Sequence, residues 1–211
     1  QALGKLANRL IGDAEVRKKV VDAAKNDTLP TVLGSSRSSF LFLIDLVGSS
    51  QFTGNSEEKA IAYGSFYDGV NELSEKIAHG KVRKTIGDAI IITWDGSDKP
   101  LQEQTDVIVK LQKLVIEAEK IAISAGCKGV RGILHYGDYF FGLVGTAAFG
   151  QIDVIGRGID HVCKLEGIMK SLDVFEDSSK VKLAISTEAQ IEHEGLEIEA
   201  WQNCGFLELK N

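Results

Sequence analysis

Phe40-Leu-Phe-Leu-Ile-Asp45-Leu-Val-Gly48-Ser-Ser-Gln-Phe-Thr53 is an apolar run that ends in an acid and then gives way to small residues. An uninterrupted run of large apolar side chains bounded by turn formers reads as a buried strand, and Gly48-Ser49-Ser50 reads as a turn that opens a helix. A second stretch, Lys81-Val-Arg-Lys84-Thr-Ile-Gly87-Asp88-Ala-Ile-Ile-Ile-Thr93, is a tight turn with an acid feeding another strand of β-branched residues. Two carboxylates brought together from adjacent strand ends, beside a turn of free backbone N–H groups, suit a divalent cation that carries a polyphosphate. A lone aspartate after an apolar run is ordinarily a turn former or a helix cap. Two in this order, joined by a helical segment that lets their strands pair, point to a shared site.

The chain of 211 residues is 44% hydrophobic, enough for one substantial core. Its net charge of -6 argues against a nucleic-acid surface, which needs clustered cations. Polyphosphate binding must therefore rest on a few placed lysines or arginines and on metal. Cys127, Cys163 and Cys204 have no paired spacing, so neither a disulfide framework nor a zinc site is expected, and a cytoplasmic setting is. No apolar stretch approaches the roughly 20 residues that span a bilayer, and no signal peptide stands at the start, so direct membrane insertion of this segment is not expected. The first residue is Gln1 and the only methionine is Met169, which suggests a fragment or a processed form of a longer chain.

Ala2 to Lys25 alternates charged and apolar residues with helical spacing, Leu3, Leu6, Leu10, Val16, Val20 and Val21 falling largely on one stripe. Asn26 to Ser39, with Pro30, Gly34 and its serines, reads as a linker, so residues 1–38 form an N-terminal helix and linker and residues 39–211 the main domain. Beyond Phe40–Ile44 the pattern gives a helix over about Ser56–His79, paired strands at Lys81–Lys84 and Ile90–Trp94, and an amphipathic helix over about Leu101–Ser124. Strand Gly129–Tyr136 and the run Tyr139–Val144 flank Gly137-Asp138, a hairpin signal. Then come Ile152–Ile155, a helix over Gly156–Lys170, a strand at Val181–Ser186, a short helix from Thr187, and closing strands near Glu197–Trp201 and Gly205–Lys210. This order predicts an α+β, ferredoxin-like βαββαβ sandwich with helices on one face of a mainly antiparallel sheet.

The motifs, in this order, resemble the catalytic domain of class III nucleotidyl cyclases, the adenylyl and guanylyl cyclases, from about Phe40 to Lys210. Phe42-Leu-Ile-Asp45-Leu-Val-Gly48-Ser49-Ser50 resembles the family's first metal motif and Lys84-Thr-Ile-Gly87-Asp88 the second. Val130-Arg131-Gly-Ile-Leu-His-Tyr-Gly137 with Gly142-Leu-Val-Gly145 resembles its arginine-led strand and glycine-spaced hairpin. Gln151-Ile-Asp153-Val-Ile-Gly156 with Ile159-Asp160-His-Val-Cys-Lys164-Leu-Glu166 resembles the segment that reads the base and steadies the phosphates.

The resemblance implies that Asp45, Asp88 and the Leu46 carbonyl hold two Mg2+ or Mn2+ ions per site, with Gly48, Ser49 and Ser50 at the substrate. It implies that Lys84 and Asp153 select adenine, so that ATP becomes 3′,5′-cyclic AMP and pyrophosphate. It also implies a homodimer with composite sites, the metal aspartates coming from one protomer and the base-reading and phosphate-binding groups from the other.

Two positions depart from the family pattern. Its ribose-orienting asparagine falls at Asp160, and its phosphate-binding arginine at Lys164. Lysine keeps the charge but loses the bidentate fork, while an ionised aspartate accepts a hydrogen bond but cannot donate one. Lys210 matches the second phosphate-binding lysine, and Asn211 follows where the family has glycine. His161, on a helix face, is expected to be packed or solvated rather than a ligand. A weak or inactive nucleotide-binding module, or a cyclase for GTP or a pyrimidine triphosphate, is the alternative. A Gly-Gly-acidic-acidic-Phe turn, the mark of the related diguanylate cyclases, does not occur.

Overall fold

The computed structural model describes residues 14–26, 32–95, 97, 99–145, 151–171 and 183–192. The apolar run at Phe40 lies within β1 (Val32–Val47), which pairs antiparallel with β3 (Ala89–Thr93) on one side and β4 (Gly129–Val144) on the other. β2 (Lys81–Ile86) extends the sheet beyond β3, and β5 (Gln151–Ile155) pairs with the far end of β4, giving the order β2-β3-β1-β4-β5. β6 (Leu183–Ile185) pairs parallel with β4 at Gly132–Leu134. The described residues therefore form a mainly antiparallel, mixed α+β fold, as the sequence predicts.

Alternation along β1 divides the core. Phe40, Phe42, Ile44 and Leu46 face one side, where they meet Phe66 and Val70 of α2 (Ser56–Leu73) and Leu111, Leu114, Val115, Ala118 and Ala122 of α3 (Val107–Ser124). The α3 residues recur at helical spacing, which is why this helix buries one stripe. Truncating Leu111, fully buried there, to alanine costs about 2–5 kcal/mol. Leu41 and Leu43 face the other side with Ile91, Ile133 and Phe141, and they meet Ile159, Val162 and Met169 of α4 (Arg157–Lys170). Helices thus cover both faces, not one as the pattern suggests. The β1 run is apolar at every position because both of its faces are buried.

α2 begins on a capping box in which the Asn55 side chain accepts from the N–H groups of Glu57 and Glu58 while Glu58 accepts from the Asn55 N–H. It ends in a π-helical turn, Ser74–Ala78, whose Ala78 carbonyl accepts from Trp94 Nε1 and Gln104 Nε2, each at 2.7 Å. The predicted helix of Ala2–Lys25 appears as α1 (Ala14–Lys25), which packs near β1. Its part before Ala14, with Leu3, Leu6 and Leu10, lies outside the described residues. So do the closing strands near Glu197–Trp201 and Gly205–Lys210, and with them Lys210. The short helix from Thr187 is α5 (Thr187–Glu192).

Two further expectations are corrected. The segment expected to be a linker up to Ser39 is strand from Val32 onward, its residues registered against Gly137–Val144. Serine and glycine carry little β-propensity, so only the partner strand reveals it. The hairpin expected at Gly137-Asp138 does not form, because β4 runs through both residues opposite Ser39 and Ser38. Gly137 is needed there for close approach: a Cβ would come within 3.0 Å of the Gly158 Cα at the start of α4.

Candidate active site

Asp45, the one acid of β1, lies on the strand's α4 side and is registered with Ala89, so the β2–β3 turn places Asp88 beside it. Gly87 takes the left-handed conformation that this turn needs, φ 59°, and Tyr67 of α2 donates its hydroxyl proton to the Gly87 carbonyl. Gly48, φ 80°, turns the chain after β1, and the Ser49 hydroxyl then donates to the Asp88 carboxylate. Of the predicted turn residues, Gly48 and Ser49 thus lie beside the two acids and Ser50 follows, exposed, in the short helical turn, while the Leu46 side chain is in the core on the opposite face.

Asp45 is 1% exposed, and its Oδ2 accepts from Arg131 at 3.1 Å, the residue registered opposite it on β4. The same oxygen lies 3.4 Å from Lys170 Nζ at the end of α4, and Lys170 also pairs with Glu166 one turn earlier. Burial first, then the negative charges of Asp88 and Glu166, push the Asp45 carboxyl up to about 7 against the pull of Lys170 and Arg131. Burial also works against the charge of Lys170, but its hydrogen bond to Glu166 and the attraction of Asp45 carry it above the usual lysine value.

A divalent cation fits this setting. Among the described residues no three metal-ligating side chains form a cluster, so a cation here would take the two carboxylates and need further oxygens from backbone or a bound molecule. Hard oxygen donors of this kind suit Mg2+ or Mn2+ carrying phosphates better than zinc. The crowding of like charge that raises Asp45 is also what a cation relieves.

Lys84 and Asp153 come from the two outer strands β2 and β5, yet Lys84 Nζ reaches Asp153 Oδ1 at 2.8 Å and the Val154 carbonyl at 3.1 Å. The sheet must curl strongly for its edges to meet. A register shift between Val82 and Lys84 marks a bulge at Arg83, which sharpens local twist and re-aims the following side chain. Arg83 is held by hydrogen bonds to Thr93 Oγ1 at 3.1 Å and the Asp95 carbonyl at 2.8 Å, and its guanidinium stacks 4.6 Å from the centre of the Phe141 ring. Asp95 also accepts from Arg37, Thr93 and Tyr139. Burial opposes its charge, but Arg83, these hydroxyls and Arg37 together hold its carboxyl below the usual range.

Asp160 and Lys164 are exposed, one turn apart on α4. His161 is half-buried with its ring edge-on to His135, 5.7 Å between centres, so it is packed as expected. Sequence reasoning gave no role to Tyr67, Glu166, Lys170 or the Arg37–Arg83–Asp95–Tyr139 cluster. The signal for Glu166 and Lys170 was their i,i+4 spacing, a weak one. Arg131 was visible as a motif residue, but its pairing with Asp45 needs the β1–β4 register.

No family model and no curated protein matches the chain. Solved structures do. A bacterial light-regulated adenylyl cyclase aligns with a TM-score of 0.59 at 17% identity over 83% of this chain and 51% of its own, so the present chain spans about half of that protein. An adenylyl cyclase from Pseudomonas aeruginosa aligns at 0.54 and 16% identity, covering 77% of this chain and 84% of its own. A class III adenylyl cyclase-like ATP-binding protein from the same organism aligns at 0.50 and 13% identity, covering 75% and 35%. Guanylyl cyclase domains are matched as well. The fold is that of the class III nucleotidyl cyclase catalytic domains. Among the described residues no helix is long and apolar enough to cross a membrane.

Proposed function

We propose that the chain is the catalytic domain of an adenylyl cyclase that converts ATP to 3′,5′-cyclic AMP and pyrophosphate at composite sites of a homodimer. The observation that carries this reading is the convergence of Asp45 and Asp88, from two strands, on one site in a cyclase fold. The chemistry that two Mg2+ or Mn2+ ions supply in such a site is acidification of the ribose 3′-hydroxyl and neutralisation of the leaving pyrophosphate. Asp45, Asp88 and the Leu46 carbonyl would hold them, and Ser49 fixes the Asp88 carboxylate. Gly48, Ser49 and Ser50 border the polyphosphate.

The contact between Lys84 and Asp153 supports ATP as the substrate. Adenine presents N1, an acceptor, beside the N6 amine, a donor. The Lys84 ammonium and the Asp153 carboxylate, 2.8 Å apart, offer a donor beside an acceptor. Guanine presents the opposite pattern at the same edge. Asp160, Lys164 and Lys210 serve the site of the other protomer, Lys164 and Lys210 as phosphate cations. Asp160 and Lys164 are exposed on α4, away from the face that packs on the sheet, where a second chain can reach them. A cytoplasmic setting supplies ATP and keeps the cysteines reduced.

A second reading, nucleotide binding without efficient turnover, is favoured by Asp160, which brings a negative charge where the reaction needs a donor. Both readings are tested by incubating the protein with each of ATP, GTP, CTP and UTP in Mn2+. Cyclic AMP that forms only from ATP, and is abolished in Asp45→Asn and Asp88→Asn, is the expected result. Binding without product supports the second reading, and a cyclic product from another nucleotide overturns the base assignment.

A further inference from the structure

Asp45 lies beside the turn that carries Asp88, and two cations reach its Oδ2, Arg131 at 3.1 Å and Lys170 Nζ at 3.4 Å. The cations differ in how they are held. Arg131 is 9% exposed on the central strand β4 and is a fixed partner of Asp45. Lys170 stands on the last turn of α4 with its side chain 44% exposed, on a flexible stem. It also has a second acceptor, Glu166, four residues back on the same helix. It can leave Asp45 without losing an ion-pair partner.

We propose that Lys170 is a built-in counter-ion that holds Asp45 until a divalent cation takes its place, and that Glu166 receives Lys170 when it is displaced. The pair Glu166–Lys170 then sets how tightly the protein binds Mg2+ or Mn2+. This rests on the reading of Asp45 as a metal ligand. An ammonium on the Asp45 oxygen competes with a metal for the same lone pairs, so the apparent affinity is the intrinsic one reduced by the fraction of chains in which Asp45 is free. Glu166 raises that fraction by offering Lys170 somewhere else to go.

The test is Mn2+ binding to the full chain, read from the loss of the free-ion electron paramagnetic resonance signal, which needs no turnover. Lys170→Met should bind Mn2+ about fivefold more tightly than the wild type, the effect expected from removing one competing ion pair. Glu166→Gln should bind more weakly, because Lys170 is left with Asp45 alone. In the double variant the Glu166→Gln effect should largely vanish. A charge acting only through the general field gives additive changes instead. Lys128→Met, which removes a neighbouring cation whose stem packs on Gly48, should change affinity by less than about twofold. Unchanged or weaker binding in Lys170→Met, or additivity in the cycle, overturns the inference and leaves the cyclase reading standing. Asp45→Asn that binds Mn2+ as the wild type does overturns both. Melting curves of each variant establish that it is folded.

Discussion

Asp45 carries a charge that its surroundings resist. Its carboxyl is pushed up to about 7 from the ordinary aspartate value of 3.8 by burial and by Asp88 and Glu166. The sign follows from proton counting. Between about pH 4 and pH 7 the unfolded chain has released this proton while the folded one retains it, so stability falls as pH rises across that window and levels off above it. The loss is on the order of a few kcal/mol in the metal-free protein. Urea unfolding at a series of pH values checks this, with Asp45→Asn expected to lack that part of the slope. Identical slopes in the two proteins would remove the basis for the shift. Asp160 offers a second test at one atom. If it stands where a hydrogen-bond donor serves the transition state, Asp160→Asn raises kcat by about tenfold or more in the proposed enzyme. A fall in kcat would mean that the aspartate has its own role.

The bulge in β2 links a structural cluster to Lys84 and Asp153, the pair proposed to read the base. Arg83 leaves the ladder, anchors on Asp95 and Phe141, and sends Lys84 toward Asp153. Arg83→Met takes one cation from a partly buried carboxylate that keeps Arg37. A loss of about 2–3 kcal/mol in urea unfolding is expected, below the full cost of an unpaired buried charge. It should also raise KM for ATP more than it lowers kcat, whereas stability lost with KM unchanged would separate the anchor from the site. At Gly158, where a Cβ would lie 2.9 Å from the Asp138 carbonyl, valine should cost about 2 kcal/mol or more by lifting α4 from β4. Element types were largely legible in the sequence because apolar period and turn residues are local properties. The elements that escaped are defined by their partners. Val32–Ser39 is a polar strand recognisable only beside Gly137–Val144, and Gly137-Asp138 looks like a turn until Gly158 is seen against it.

Across the molecule, curling of the sheet brings its outer strands β2 and β5 together, and α4 covers the face that holds Asp45. Lys84, Asp153, Asp45 and Asp88 were readable as motif residues, since strand ends and turns fix their local placement. The Arg131, Glu166 and Lys170 surroundings of Asp45 were not, because they come from β4 and α4 and depend on register and packing. In the proposed homodimer each chain gives its acids to one site and its base-reading and phosphate groups to the other. Co-expressing Asp88→Ala chains with Lys84→Ala/Lys164→Ala chains therefore rebuilds one whole site in every mixed dimer. Random pairing makes half the dimers mixed, so cyclic AMP formation from ATP and Mn2+ should return to about a quarter of the wild-type rate while each variant alone is silent. No recovery in preparations that contain mixed dimers, or product from Asp88→Ala chains by themselves, contradicts a two-carboxylate site shared between two chains.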